Sequence, residues 1–228
     1  MNNQKAIIFD ASTLISLSMN GLFDELKDLK NIFGGKFLIT KDVKREIIDK
    51  PLTIKRFELE ALRLKDLLDR GILEMPSSLN IDEKEIYKEV ERIKNIANNT
   101  FKAKNSNLYL IDSREASCLV LSKILSDKKV KNIVAVDERT IRMLCEKPDN
   151  LKKLLEKKLH TSISAVESNF KYFSGFKFIR SSELLYISYK KGLVKLKGPI
   201  ILDALLYAVK FKGCAISDEE IKEIERIK

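Results

Sequence analysis

Two short apolar runs, Lys5-Ala-Ile-Ile-Phe9 and Asn132-Ile-Val-Ala-Val136, each stop at an aspartate, Asp10 and Asp137. An apolar run of this length with no alternation reads as a strand buried on both faces, and such strands belong to parallel sheets. Ligands of an open parallel sheet collect beyond the carboxyl ends of its strands. The two aspartates are therefore predicted at the ends of neighbouring strands, facing one crevice. Either alone also reads as the ordinary cap of a following helix; a pair is what raises the prospect of a shared site.

The segments between alternate in period. Ala11–Leu17 reads as a helix, and Leu22, Phe23, Leu26, Leu29 and Ile32 recur at helical spacing until Gly34-Gly35. Lys36-Phe-Leu-Ile39 reads as a second strand, with Thr40 and Asp42 opening a short helix through Val43, Glu46, Ile47 and Ile48 that Pro51 ends. An amphipathic stretch fills 54–70, Ile72–Met75 is a candidate strand, and 81–103 reads as a charged helix. Asp112-Ser113 introduces an apolar helix over Glu115–Leu125, and Thr140–Cys145 forms another after Asp137. This order predicts an α/β fold, a parallel β-sheet flanked by helices. Beyond residue 151 the pattern turns mostly helical, with segments 181–193, 199–210 and 217–227 divided by Gly192, Gly198 and Gly213.

Charge points to the class of partner. The 228 residues carry 43 Lys and Arg against 33 Asp and Glu, a net charge of +10, and a basic surface attracts polyanions, nucleic acid foremost. A solvated lysine-rich surface is the plainer reading of the same number. Richness in Lys, Glu and Ile, with a single Gln4 and a single His160, suggests a heat-adapted protein. Cys118, Cys145 and Cys214 are far apart in apolar runs, so they read as buried thiols; with one histidine there is no zinc-site spacing. No run approaches a membrane span and no leader pattern is seen, which predicts a soluble, cytoplasmic protein.

Four motifs then resemble, in order, those of PIN-domain nucleases. Asp10-Ala11-Ser12-Thr13-Leu14-Ile15 is similar to the PIN opening of strand, aspartate, one residue and a hydroxyl residue. Thr40-Lys-Asp-Val43-Lys-Arg-Glu46-Ile47 is similar to the second element, a helix whose Glu46 points into the site. Asp112-Ser-Arg-Glu115-Ala116 fits the third, an acid opening an Ala/Leu-rich helix, and Asp137 fits the fourth. The resemblance covers residues 5 to about 147. It implies a PIN-like nuclease domain over 1–150 and a mostly helical extension over 151–228, packed on it or on a partner subunit. It implies catalytic residues Asp10, Ser12, Glu46, Asp112, Glu115 and Asp137, with Mg²⁺ or Mn²⁺ held by Asp10, Glu46, Glu115 and Asp137. Asp112 and Glu115 are three apart on one helix face, so either can supply the third carboxylate, the other supporting it.

Clustered carboxylates repel until cations neutralise them, and hard divalent ions take oxygen ligands, so the donor set suits metal-assisted phosphodiester hydrolysis. The implied activity is endoribonuclease cleavage of tRNA, rRNA or mRNA. Arg139 and Arg142 are candidate phosphate contacts, and Lys190 and Lys191, with Tyr186 and Tyr189, candidate RNA contacts; paired or solvated charges and a core helix are the plain alternatives. A toxin-like PIN protein implies a small antitoxin partner, and a homodimer is also open; a processing enzyme of rRNA usually carries a zinc ribbon, which this chain lacks. A non-catalytic RNA- or protein-binding PIN module is the alternative. The apolar stretch Ile200–Val209 predicts that 196–211 is mostly buried.

Overall fold

The computed structural model describes residues 4–227. Its centre is a four-stranded parallel sheet built on β1 (Lys5–Phe9). On one side β1 pairs with β2 (Lys36–Leu38), and on the other with β5 (Lys131–Ala135), which pairs in turn with β7 (Phe178–Ile179). The protein is thus α/β with a parallel sheet. Ala6 to Phe9 are all buried, which is why β1 reads as an unbroken apolar run. The stretch Ile72–Met75 joins the edge only through a parallel bridge from Glu74 to Leu38.

Strands β1, β2 and β5 each hand over to a helix through a capping side chain. Asp10 caps α1 (Ala11–Met19), which leads to α2 (Phe23–Phe33). Gly34 ends α2 with φ +60, and Gly35 follows because any Cβ there would stand 2.5 Å from the Lys5 carbonyl. Thr40 caps α3 (Lys41–Lys44), which continues as one π-helical turn over Arg45–Asp49. Then come α4 (Glu58–Asp69) and α5 (Glu83–Asn98). Asp112 caps α6 (Ser113–Asp127), whose residues are buried almost all round because α6 lies between α5 and strands β1 and β5.

A second, small antiparallel sheet has the order β4-β3-β6, from β3 (Phe101–Ala103), β4 (Ser106–Asn107) and β6 (Ile163–Ala165). Between β5 and β6 lie α7 (Arg139–Glu146) and α8 (Pro148–Leu159). After β7 come α9 (Ser181–Lys190), α10 (Ile201–Phe211) and α11 (Asp218–Arg226). The predicted division at residue 150 runs across both sheets: β6 completes the small one and β7 the central one, and one apolar core extends from Ala6 to Ile224. The extension, mostly helical, is packed on the rest of its own chain.

The expected burial of 196–211 is only half met. α10 buries Leu202, Leu205, Leu206 and Val209 against α9 and α11, while Leu196, Ile200 and Phe211 are exposed. The run is apolar on several sides; the faces turned to α9 and α11 are covered, and Asn20 donates to the Ala208 carbonyl at 3.2 Å. Among the described residues no helix is long and apolar enough to cross a membrane.

Candidate carboxylate site

The register Phe9↔Ala135 puts Asp10 and Asp137 at the carboxyl ends of adjacent strands. One hydroxyl links them. Ser12 Oγ donates to Asp10 Oδ2 at 2.6 Å and accepts from the Asp137 N–H at 3.1 Å, while the Ser12 N–H donates to the same Asp10 oxygen at 3.0 Å. Asp10 is 3% exposed, and its other oxygen, Oδ1, is buried with no hydrogen-bond partner. Burial raises its pKa, against the bonds from Ser12. A buried carboxylate oxygen with no donor is costly, and it marks a place where a proton or a cation has something to satisfy.

The third element is a complete capping box. Asp112 Oδ1 accepts from the Arg114 and Glu115 N–H groups at 2.9 and 3.1 Å, and Glu115 Oε2 accepts from the Asp112 N–H at 2.9 Å. Glu115 is 7% exposed; burial, with the charges of Asp10, Asp112 and Glu138 adding to it, pushes its pKa up to about 8. Glu46 stands on the π turn. Burial raises its pKa too, and Asp112 and Asp10 add to that against Arg114. The charges of Asp10 and Asp112 bear on both Glu46 and Glu115, which puts the four acids in one neighbourhood.

Arg114, not foreseen as a site residue, bridges that cluster. Its Nη1 donates to Glu46 and its Nε to Asp112 Oδ2 at 2.6 Å. Burial works against its charge, but Asp112, Glu46 and Asp10 outweigh it and raise its pKa further. Among the described residues, no three of these carboxylates stand close enough together, as placed, to grip one ion. The donors are all oxygen, the right chemistry for a hard divalent cation, and the unpartnered Oδ1 of Asp10 fits such a ligand.

Asp137 is brought beside Asp10 but its carboxylate is committed elsewhere. Wholly buried, it accepts from the Ser181 N–H at 2.7 Å and the Ser181 hydroxyl at 2.6 Å, with Thr13 Oγ1 at 3.5 Å. It ties the start of α9 to the sheet, so both oxygens of this predicted metal ligand have a donor from Ser181. Glu138 is the cap of α7, bonded to the Thr140 and Ile141 N–H groups.

The four basic candidates do not converge on the cluster. Arg142 donates to the Ala215 carbonyl at 3.2 Å, where Arg180 also donates at 3.3 Å, so it holds the α11 approach. Arg139 is exposed at the start of α7. Lys190 ends the helix whose first residue bonds Asp137, roughly 13 Å away along the axis at about 1.5 Å per residue. Lys191 follows it, and Tyr186 donates to the Ile227 carbonyl at 3.2 Å. A groove of about 350 Å³ does open on the cluster, lined by Arg45, Glu46, Lys50, Tyr109, Asp112 and Arg114 among others.

Comparison of the chain with family models, curated proteins and solved structures gave no match.

Proposed function

We propose that this chain is a PIN-type endoribonuclease that uses Mg²⁺ or Mn²⁺ held by Asp10, Glu46 and Glu115, with Asp112 supporting them. The observation that carries this reading is Asp10 Oδ1, a buried carboxylate oxygen left without a donor beside two further acids. The strand-end placement of Asp10 and the net charge of +10 support it. When bound, such an ion supplies water activation and neutralises charge on the attacked phosphate.

The chain's own residues account for the rest. Ser12 fixes Asp10 through Oδ2, so Oδ1 is the oxygen available, and the Asp137 backbone fixes Ser12 in turn. Glu115, held protonated near neutral pH, gives up its proton when it becomes a ligand. Arg114 lines the groove and is placed to meet a phosphate once the carboxylates have another counter-ion. The substrate class is single-stranded or looped RNA, and the toxin-like form of this reading adds a small antitoxin protein.

One observation favours the alternative, a non-catalytic RNA- or protein-binding PIN module: Arg114 already neutralises Glu46 and Asp112 without any metal. Cleavage decides between them. With Mn²⁺ or Mg²⁺ the protein is expected to cut a looped RNA internally, EDTA to stop it, and Asp10→Asn to lower the rate by at least about 100-fold, the scale of lost charge stabilisation. Equal cleavage by parent and variant, purified side by side, rejects the site; no cleavage by the parent with either metal favours the binding module.

A further inference from the structure

The π turn has a consequence for charge. Lys41 and Arg45 are one helical turn apart, and the Lys50 N–H bonds the Arg45 carbonyl at 2.9 Å, five residues back. In a regular helix Lys50 would drift off the face that Arg45 occupies; the wider turn brings it back. All three side chains are exposed, and Arg45 and Lys50 both line the groove that opens on Glu46 and Asp112. Among the described residues neither has a carboxylate within ion-pair distance, though their charges are felt by Asp42 and Glu46.

Tyr109, 73% exposed, lines the same groove. Its backbone is held on both sides. Leu108 N–H donates to the Phe101 carbonyl at 2.9 Å, and Asn98 Oδ1 accepts from the N–H groups of Leu110 and Ile111 at 2.7 and 3.0 Å. Leaving an aromatic ring in water on a pinned segment forgoes its burial and keeps its face presented, the arrangement that stacks an unpaired base.

We infer that this groove is the track of a single polynucleotide strand, with a base stacked on Tyr109 and successive phosphates on Arg45 and Lys50, leading the backbone to the acidic cluster. The inference rests on the proposed RNA substrate and deepens it by naming the residues that hold the strand. Two cations, an exposed aromatic ring and acids lining one groove offer partners to the phosphate, the base and the reacting bond of a strand.

The test is metal-free binding, so that it does not depend on catalysis. A fluorescently labelled oligoribonucleotide of about 12 unpaired residues, within the site sizes such grooves take, is titrated with the full chain in EDTA and followed by anisotropy. Tyr109→Ala is expected to weaken binding roughly 5- to 100-fold, the range of one lost base stack, and Tyr109→Phe to bind as the parent does. Arg45→Ala and Lys50→Ala are each expected to lower the slope of log affinity against log salt by about 0.7. Thermal unfolding of each variant checks that it is folded. A Tyr109→Ala protein that binds like the parent, no binding by the parent, or equal loss on a duplex of the same sequence overturns the track. Tyr109-dependent binding without cleavage supports the track and rejects the catalytic reading; Asp10-dependent cleavage with Tyr109-independent binding does the reverse.

Discussion

Glu115→Gln converts the electrostatics of the site into a measurable pH dependence. The Glu115 carboxyl is buried beside Asp10 and Asp112, and its pKa stands at about 8 against an ordinary 4.5. In the unfolded chain it ionises near 4.5; in the folded protein it keeps its proton until about 8. Between those values the folded state binds more protons, so stability falls as pH rises, and the loss is complete above the folded pKa. Gln keeps an oxygen to accept the Asp112 N–H and cannot ionise. Parent and variant should therefore be nearly equal in stability near the acid end and diverge upward. Each unit of pH in the window is worth about 1.4 kcal/mol, so the variant gains on the order of 4 kcal/mol by about pH 8. For a chain of this size that corresponds to roughly 10 °C in melting temperature. Differential scanning calorimetry in EDTA, from about pH 5 to about pH 8, measures it. Adding Mn²⁺ at the upper end should raise the parent's melting temperature and leave the variant's gain smaller, since only an ionised Glu115 is a strong ligand. A melting difference between the two proteins that does not change with pH would refute the reasoning, because the shift would then not exist.

Arg114→Ala removes the guanidinium that bridges Glu46 and Asp112, so titration calorimetry should show Mn²⁺ bound about 10-fold tighter or more, with cleavage nevertheless slowed; unchanged affinity would show that the arginine does not compete for the cluster. Asp137→Ala strands the Ser181 hydroxyl and N–H in a fully buried place, and should cost about 2–5 kcal/mol in denaturant unfolding, whereas an exposed ligand would cost little.

The strand ends were legible because their signal is local: five apolar residues and an acid. The capping box was legible for the same reason, since Asp112 and Glu115 are three residues apart. Arg114 lies between them in the sequence, yet its partner Glu46 is 68 residues away, and nothing in its neighbourhood says which acid it meets. The π turn hides because one extra residue in a turn barely alters the spacing of Ile47 and Ile48, both buried. The β3–β4 hairpin is too short for a period; its trace is the turn Lys104-Asn105, with φ of +46 and +68, which asparagine tolerates and lysine does not favour.

The same limit governs Asp137. Its motif, a strand followed by an aspartate, is indistinguishable from that of Asp10, and the two do stand side by side. What separates them is supplied from 44 residues downstream, where β7 joins the sheet next to β5 and brings Ser181 under the carboxylate. Asp10 ends β1, between β2 and β5, and Ser12 satisfies only one of its oxygens. Sheet order thus decides which aspartate is saturated and which is left with an oxygen to offer. The residues past 150 act on the site through that order: by completing the sheet they bring Ser181 to both oxygens of Asp137 and bury it.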